Sequence, residues 1–282
     1  MNAAVEIVGV SKSYGKNNAI QKPFSCSIRD GSTTVLLGQN GAGKTTLIRI
    51  ILDLIRSDSG TVMINGKCSS DPSSREGVRY LPESVVFPRK CNFNDLVRNY
   101  KRYRSDVSET SVMKMLEYFD ISISRNRYIE QLSKGQRQLF LLALIMSGDP
   151  SLLILDEPMD GLDPINTRRV RQRIKDLSSK GTTVFQSTHR IHEAEVGGGE
   201  YIIINNGTIA TTGAIKSIKK YSKVPAEHLK GNAGITDLAI YRDEEYVYIN
   251  KAYLCEHKNL SDIGNDMSLE DMYIVAINTH DN

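Results

Sequence analysis

Nine residues near the start of the chain bring together three glycines, a lysine and two adjacent hydroxyls: GQNGAGKTT, residues 38–46. The β-branched and apolar run Thr33 to Leu37 precedes them and reads as a buried strand. Leu47, Ile48, Ile50, Ile51 and Leu54 follow at helical spacing, so the stretch must turn a strand into a helix. Gly38, Gly41 and Gly43 let successive backbone N–H groups point inward, and the positive end of the helix adds to their field. Such a nest binds phosphate. Gly38 to Thr45 fits G-x-x-x-x-G-K-[ST], in which Lys44 reaches the β and γ phosphates of a nucleotide and the Thr45 hydroxyl binds Mg²⁺. Asn40 and Thr46 count with the phosphate-contacting residues. The alternative, an ordinary glycine-rich turn, is disfavoured by the strand before it and the helix after it.

A second group stands at SLLILDEP, residues 151–158. Its apolar run delivers Asp156 and Glu157 to the carboxyl end of a strand, where a doubly wound sheet places its ligands. There Asp156 would hold Mg²⁺ and Glu157 would polarise an attacking water. His189 ends another β-rich run, TTVFQSTH (182–189), in place to contact a γ-phosphate. A metal site from His189, His192 and Glu193 lacks the order H-E-x-x-H. Guanine recognition would need N-K-x-D, and NKAY at 250–253 lacks the final acid, so adenine is the expected base. Tyr14, expected in a loop after the first strand, could stack on it.

The elements that must position these groups follow from the apolar pattern. VEIVGV, FSCSI and GTVMINGK read as a small antiparallel sheet. Residues from about 92 to 147 read as helical, with Leu96, Val97, Tyr100, Val112, Met115, Leu116 and Phe119 at helical spacing. SLLILDEP, TTVFQSTH and EYIIINNGTIA, with helical TRRVRQRIKDLSS between the first two, extend a parallel core. The arginines of that helix lie opposite an apolar stripe of Val170, Ile174 and Leu177, which makes a solvated face the better reading than a nucleic-acid surface. From about Lys219 the texture turns polar, with a hairpin around LAIYRDEEYVYIN and a last helix at SLEDMYIVAI.

The stretch QLSKGQRQLFLLALIMSGDPSLLILDEP makes the resemblance specific: it resembles the signature motif and Walker B of ATP-binding cassette (ABC) ATPases, and the likeness covers roughly residues 4–215. The resemblance implies an α/β fold: a phosphate-loop ATPase core with a parallel sheet, an N-terminal antiparallel subdomain and a helical signature subdomain. Residues 1–219 would form the nucleotide-binding domain, with the helical part at about 84–147, and 220–282 a small C-terminal accessory region. Gly38 to Thr45 looks like Walker A; Ser133, Gly135 and Gln136 like the signature; Asp156 and Glu157 like Walker B. Gly161-Leu162-Asp163 resembles the D-loop, His189 the switch histidine, and Tyr14 the adenine-stacking aromatic. Catalytic roles fall to Glu157, His189 and Lys44, and Mg²⁺ to Thr45, Glu83 and Asp156. Ser133 would cap a helix beginning near Lys134 and make a second anion site. The family joins that site to the phosphate loop of another subunit in a head-to-tail dimer, with ATP between them.

Three departures stand out. Glu83 in RYLPES replaces the usual glutamine, Lys134 replaces a glycine in the signature, and Gly197 to Gly199 replace an acid-bearing turn.

The chain of 282 residues, 40% hydrophobic, is long enough for a real core. A net charge of +3 on 36 basic and 33 acidic residues is too small to argue for nucleic acid. Cys26, Cys68, Cys91 and Cys255 are scattered, as reduced cytosolic thiols would be. The beginning lacks a signal-peptide pattern, and no run of about 18 apolar residues occurs. The expectation is therefore a protein neither secreted nor membrane-spanning; the resemblance implies a place on the cytoplasmic face of the cell membrane. Its partners would be an integral membrane permease and either a second copy or a homologous ATPase subunit. The YLPE and LSKGQ variants, and the closing SLEDMYI, which resembles the ending of exporter-type subunits, point to export. The alternative, a soluble ABC ATPase of translation or DNA repair, usually brings two cassettes or a long coiled-coil insertion, and neither is visible. A nucleotide sensor without turnover is weakened by the intact Glu157 and His189.

Overall fold

The computed structural model describes residues 2–124, 126–197, 199–229, 239–254 and 264–280. Its centre is a six-stranded sheet in the order β10-β9-β3-β8-β7-β6. The strands are β3 (Thr33–Leu37), β6 (Val78–Leu81), β7 (Leu152–Asp156), β8 (Thr183–Thr188), β9 (Glu200–Asn205) and β10 (Thr208–Ala214). All neighbours pair in parallel except β9 with β10. Every residue of β3, β7 and β8 is buried, as a parallel sheet covered on both faces requires.

Helices α1 (Lys44–Ile51), α5 (Pro164–Ser179) and α6 (Ile191–Gly197) follow β3, β7 and β8 respectively. Helix α1 stops sooner than its apolar spacing suggests. Asp53 takes a left-handed φ of 54°, and Leu54 lies beyond the helix, 59% exposed. The α5 stripe of Val170, Ile174 and Leu177 is buried as expected. Its arginines are not all solvated: Arg169 donates to the Phe119 carbonyl and Arg173 to that of Met146.

A second sheet, in the order β2-β1-β4-β5, is antiparallel: β1 (Ala3–Tyr14), β2 (Asn17–Arg29), β4 (Ser59–Ile64) and β5 (Lys67–Cys68). The β1–β2 pairing runs longer than VEIVGV and FSCSI suggest, because repeated register shifts let it bend on toward the turn at 15–16. Tyr14 is consequently the last residue of a strand, paired with Asn17, rather than a loop residue.

The helical region contains α2 (Phe93–Tyr103), α3 (Glu109–Tyr118) and α4 (Lys134–Ile145). Side chains of Asn92, Ser108 and Ser133 cap them, each satisfying an N–H left open by helix geometry. Phe93, Leu116, Phe119 and Phe140 form its core, which continues onto Leu153 and Leu155 of β7. Arg79 of β6, 3% exposed, reaches both oxygens of Asp106 between α2 and α3, at 2.7 Å each.

At the C-terminal end, α7 (Ile215–Ile218) leads to a third sheet in the order β12-β13-β11-β14. Its strands are β11 (Tyr221–Pro225), β12 (Ala239–Arg242), β13 (Tyr246–Asn250) and β14 (Asn265–Asp266), with α8 (Lys251–Leu254) after β13. The β12–β13 hairpin matches the expected one, its turn held by Asp243, which accepts from the backbone of Glu245 and Tyr246. The last helix, α9 (Leu269–His280), buries Leu269, Met272, Val275 and Ala276 in one cluster with Val35, Leu37 and Ile203. This region therefore shares a core with the central sheet.

Candidate nucleotide site

The loop from β3 to α1 needs its glycines for space as well as for angle. A Cβ on Gly38 would lie 2.6 Å from the Ile204 carbonyl, and one on Gly43 would lie 2.5 Å from that of Ala19. Gly41 and Gly43 have φ of 84° and 104°, a region that L side chains avoid. Gly43 caps α1 without a side chain, and the first turn carries no acid, so its N–H groups stay open to an anion.

Lys44 is 6% exposed. Its ammonium donates to the carbonyls of Gly38 at 2.8 Å and Gln39 at 3.2 Å, and lies 3.3 Å from Glu157 Oε1. The Thr45 hydroxyl donates to Asp156 Oδ2 at 2.8 Å. Asp156 is fully buried, and its other oxygen accepts from the Ser187 hydroxyl. Ser187 also accepts from the Glu157 backbone N–H at 3.1 Å. One hydroxyl thus orients both carboxylate residues. Sequence reasoning missed it, although Ser187 lies opposite Asp156 in the β7–β8 register.

Glu157 stands between two bases. Its Oε2 is 3.0 Å from His189 Nδ1 and its Oε1 faces Lys44. That Oε1 is buried without a hydrogen-bond partner among the described residues. The Glu157 backbone has φ of 49°, a strained left-handed conformation for a non-glycine. Glu83, in the loop after β6, completes one rim. Together with Ala19, Asn40, Gly41, Gly43, Lys44, Thr45, Thr46 and Glu157 it lines a cavity of about 200 Å³. A larger crevice of about 370 Å³, between β2 and β9–β10, contains none of these groups.

The remaining expected residues stand elsewhere. Tyr14 is half exposed, with the Lys12 ammonium 5.7 Å from its ring, and does not line the cavity. Ser133 accepts from the Gln136 N–H at 3.2 Å, while Gln136 Oε1 accepts from the Ser133 N–H at 3.1 Å. This reciprocal cap leaves the Ser133 O–H proton available to an anion. Gly135 lies against the next loop, since a Cβ there would meet the Gly161 carbonyl at 2.8 Å. Asp163 caps α5, accepting from the Asn166 N–H at 2.9 Å, and that bond holds its carboxyl below the usual range. None of Ser133, Gly135, Gln136 and Asp163 lines the cavity.

Nor does His192 join a metal site. Glu193 is taken by Thr188 and Arg190, and no group of three or more His, Cys, Asp or Glu among the described residues could hold a metal. Of the glycine triplet, Gly198 lies outside the described residues. Gly199 has φ of 91°, and a Cβ there would overlap the Thr33 carbonyl.

A doubly wound sheet with a glycine nest, a buried lysine and an acid-tipped neighbouring strand defines a phosphate-loop nucleotide-binding cassette. The family model described as ABC transporter matches residues 21–160. An uncharacterised ABC transporter ATP-binding protein of Alkalihalophilus pseudofirmus is 34% identical over 66% of this chain and 70% of its own length. The spermidine/putrescine import ATP-binding protein of Spiroplasma citri is 29% identical over 97% of this chain and 81% of its own. The Nod factor export ATP-binding protein I of Mesorhizobium japonicum is 30% identical over 68% and 58%. Among solved structures, an ATP-binding subunit of an ABC transporter superposes with a TM-score of 0.70 at 26% identity, covering 81% of this chain and 95% of that one. The chain belongs to the ABC transporter ATP-binding family. It spans 57% to 60% of the length of several curated relatives that it matches.

Proposed function

We propose that the chain is the ATP-hydrolysing subunit of an ABC transporter, which pairs with a second cassette on binding ATP and drives a separate membrane permease in export. The observation that carries this reading is that Lys44, Thr45 and Glu157 line one small cavity, with Asp156 bonded to Thr45 and His189 paired with Glu157 behind them, while the signature residues stand away from it. The phosphate half of an ATP site is present, and Ser133, Gly135 and Gln136 are left to complete that of another cassette.

The donor set fits a hard cation. Thr45 and Asp156, joined by a hydrogen bond, are oxygen ligands, and Glu83 adds a carboxylate at the rim. These residues would hold Mg²⁺, which would supply charge neutralisation at the phosphate oxygens. Lys44 would leave Glu157 for the β and γ phosphates. Glu157, released, would accept a proton from the attacking water, with His189 fixing its second oxygen and then the γ-phosphate. Tyr14 would stack on adenine after a movement of the β1–β2 turn, and Asp163 would serve the opposing subunit.

No described helix is long and apolar enough to cross a membrane; the reading assigns the transport path to a separate permease. Its docking face would be residues 84–104, where Val86 is 95% exposed and Phe87 packs on the helical core. Relatives are named for import and for export. Export is favoured by the YLPE, LSKGQ and SLEDMYI variants. The test is a tagged pull-down from detergent-solubilised native membranes with mass spectrometry. A polytopic membrane protein in stoichiometric amount supports the reading; recovery from the soluble fraction alone, with ribosomes or DNA, overturns it.

A further inference from the structure

We propose that Lys134, Asp160 and Arg190 are positioning residues for ATP hydrolysis, an ion-pair relay that ties the first turn of α4 to the His189–Glu157 pair of the same chain. The inference rests on the ATPase reading above and names how that site is regulated. Lys134 is the departure from the signature pattern, and its placement is electrostatically adverse. A cation at the first position of a helix faces the positive end of the helix dipole, and the first turn of α4 contains no acid. Something outside the helix must offset it.

Asp160 does so. Its Oδ2 lies 2.5 Å from the Lys134 ammonium, and that hydrogen bond holds the Asp160 carboxyl below the usual range. The lysine stem lies across Gly161, where an added Cβ would come within 3.0 Å of Lys134 Cδ. On its other side Asp160 Oδ1 is 3.7 Å from Arg190 Nη2. Arg190 Nη1 reaches Glu193 at 3.1 Å, and Glu193 accepts from Thr188 at 3.0 Å. Both residues flanking His189 are thereby held. Asp160 also donates its N–H to the Glu157 carbonyl at 3.1 Å. A displacement of the α4 first turn is thus passed through Asp160, by its carboxylate to Arg190 beside His189 and by its backbone N–H to Glu157.

Lys134, Asp160 and Arg190 are 67%, 39% and 47% exposed, so solvent screens the relay in a lone subunit. A second cassette whose phosphates engage Ser133 would cover it and strengthen each pair. The structure therefore suits a device that reports occupation of the partner's nucleotide to this chain's own hydrolytic groups.

The experiment uses the full chain in its membrane-recovered assembly: wild type, Lys134→Met, Lys134→Arg, Asp160→Asn and the Lys134→Met/Asp160→Asn double variant. Steady-state hydrolysis gives kcat, KM and the Hill coefficient, and equilibrium titration of the isolated chain gives ATP affinity. Lys134→Met and Asp160→Asn should each lower kcat about fivefold and reduce cooperativity, with ATP affinity within about twofold of wild type. The double variant should match the single ones, and Lys134→Arg should retain most activity. Unchanged kcat and cooperativity in the single variants, or losses that multiply in the double variant, would overturn the relay. Wild type that binds no ATP, or hydrolyses it without cooperativity, would overturn the underlying reading instead.

Discussion

Replacing Glu157 by glutamine should tighten ATP binding while weakening the empty protein, and the structure sets the size of both effects. Lys44 is 6% exposed and has three partners: two carbonyls and the Glu157 carboxylate at 3.3 Å. Removing one member of a buried ion pair costs about 3–5 kcal/mol when the other charge is left uncompensated. Here the carbonyls of Gly38 and Gln39 remain, and the site opens into a cavity that admits water, so about 2 kcal/mol of stability should be lost. Nucleotide phosphates must displace the same carboxylate from Lys44 in the wild type and need not do so in the variant. By linkage the lost 2 kcal/mol, roughly, returns as about 30-fold tighter binding. Denaturant unfolding gives the first quantity, and calorimetric titration with a non-hydrolysable ATP analogue gives the second, at chain concentrations that keep both proteins monomeric. A variant as stable as wild type without nucleotide, or one that binds the analogue more weakly, would refute the claim that Glu157 competes with phosphate for Lys44.

Gly43→Ala should destabilise the chain by about 2 kcal/mol or more and abolish measurable ATP binding, because the new methyl must displace the Ala19 carbonyl while keeping φ at 104°; thermal unfolding and titration check it. Phe87→Asp should abolish permease recovery from membranes while leaving ATP affinity within about twofold of wild type, since Phe87 packs on the helical core and does not line the nucleotide cavity. In the C-terminal region, Asp271 is 5% exposed and 2.9 Å from Lys223. Burial pushes its carboxyl up, but hydrogen bonds from Ser268 and Lys223 outweigh that and hold it low; Lys223 is raised in turn. The Asp271 contribution should be present above the ordinary carboxylate range and vanish as pH falls through its depressed value. The Lys223 contribution should persist until pH rises beyond the ordinary lysine value. Asp271→Asn should flatten the acid limb of a stability–pH curve and cost about 1–2 kcal/mol at neutral pH.

The glycine nest, Lys44, Asp156, Glu157 and His189 were legible because their chemistry is written in residue type at short spacing beside strands whose apolar pattern is plain. What joins them was not. The Lys44–Glu157 and Glu157–His189 contacts depend on which strands lie side by side, and β3, β7 and β8 become neighbours only through parallel pairing across long stretches of chain. Ser187 matters only through that register. Tyr14 was misplaced because shifts in the β1–β2 register carry the strand through it, which no local pattern announces. A last helix at SLEDMYIVAI was legible, but that it covers Val35, Leu37 and Ile203 follows from the tertiary fold. Likewise the sequence marks Lys134 only as a departure from the signature, and its pairing with Asp160 follows from the fold.

Phosphate release from Mg-ATP by the membrane-recovered assembly, measured for wild type and for Glu157→Gln side by side, is the most direct test of the account. Steady turnover by wild type and a loss of at least about 100-fold in the variant is the predicted result. Indistinguishable rates would contradict the assignment of this cavity as the site of ATP hydrolysis.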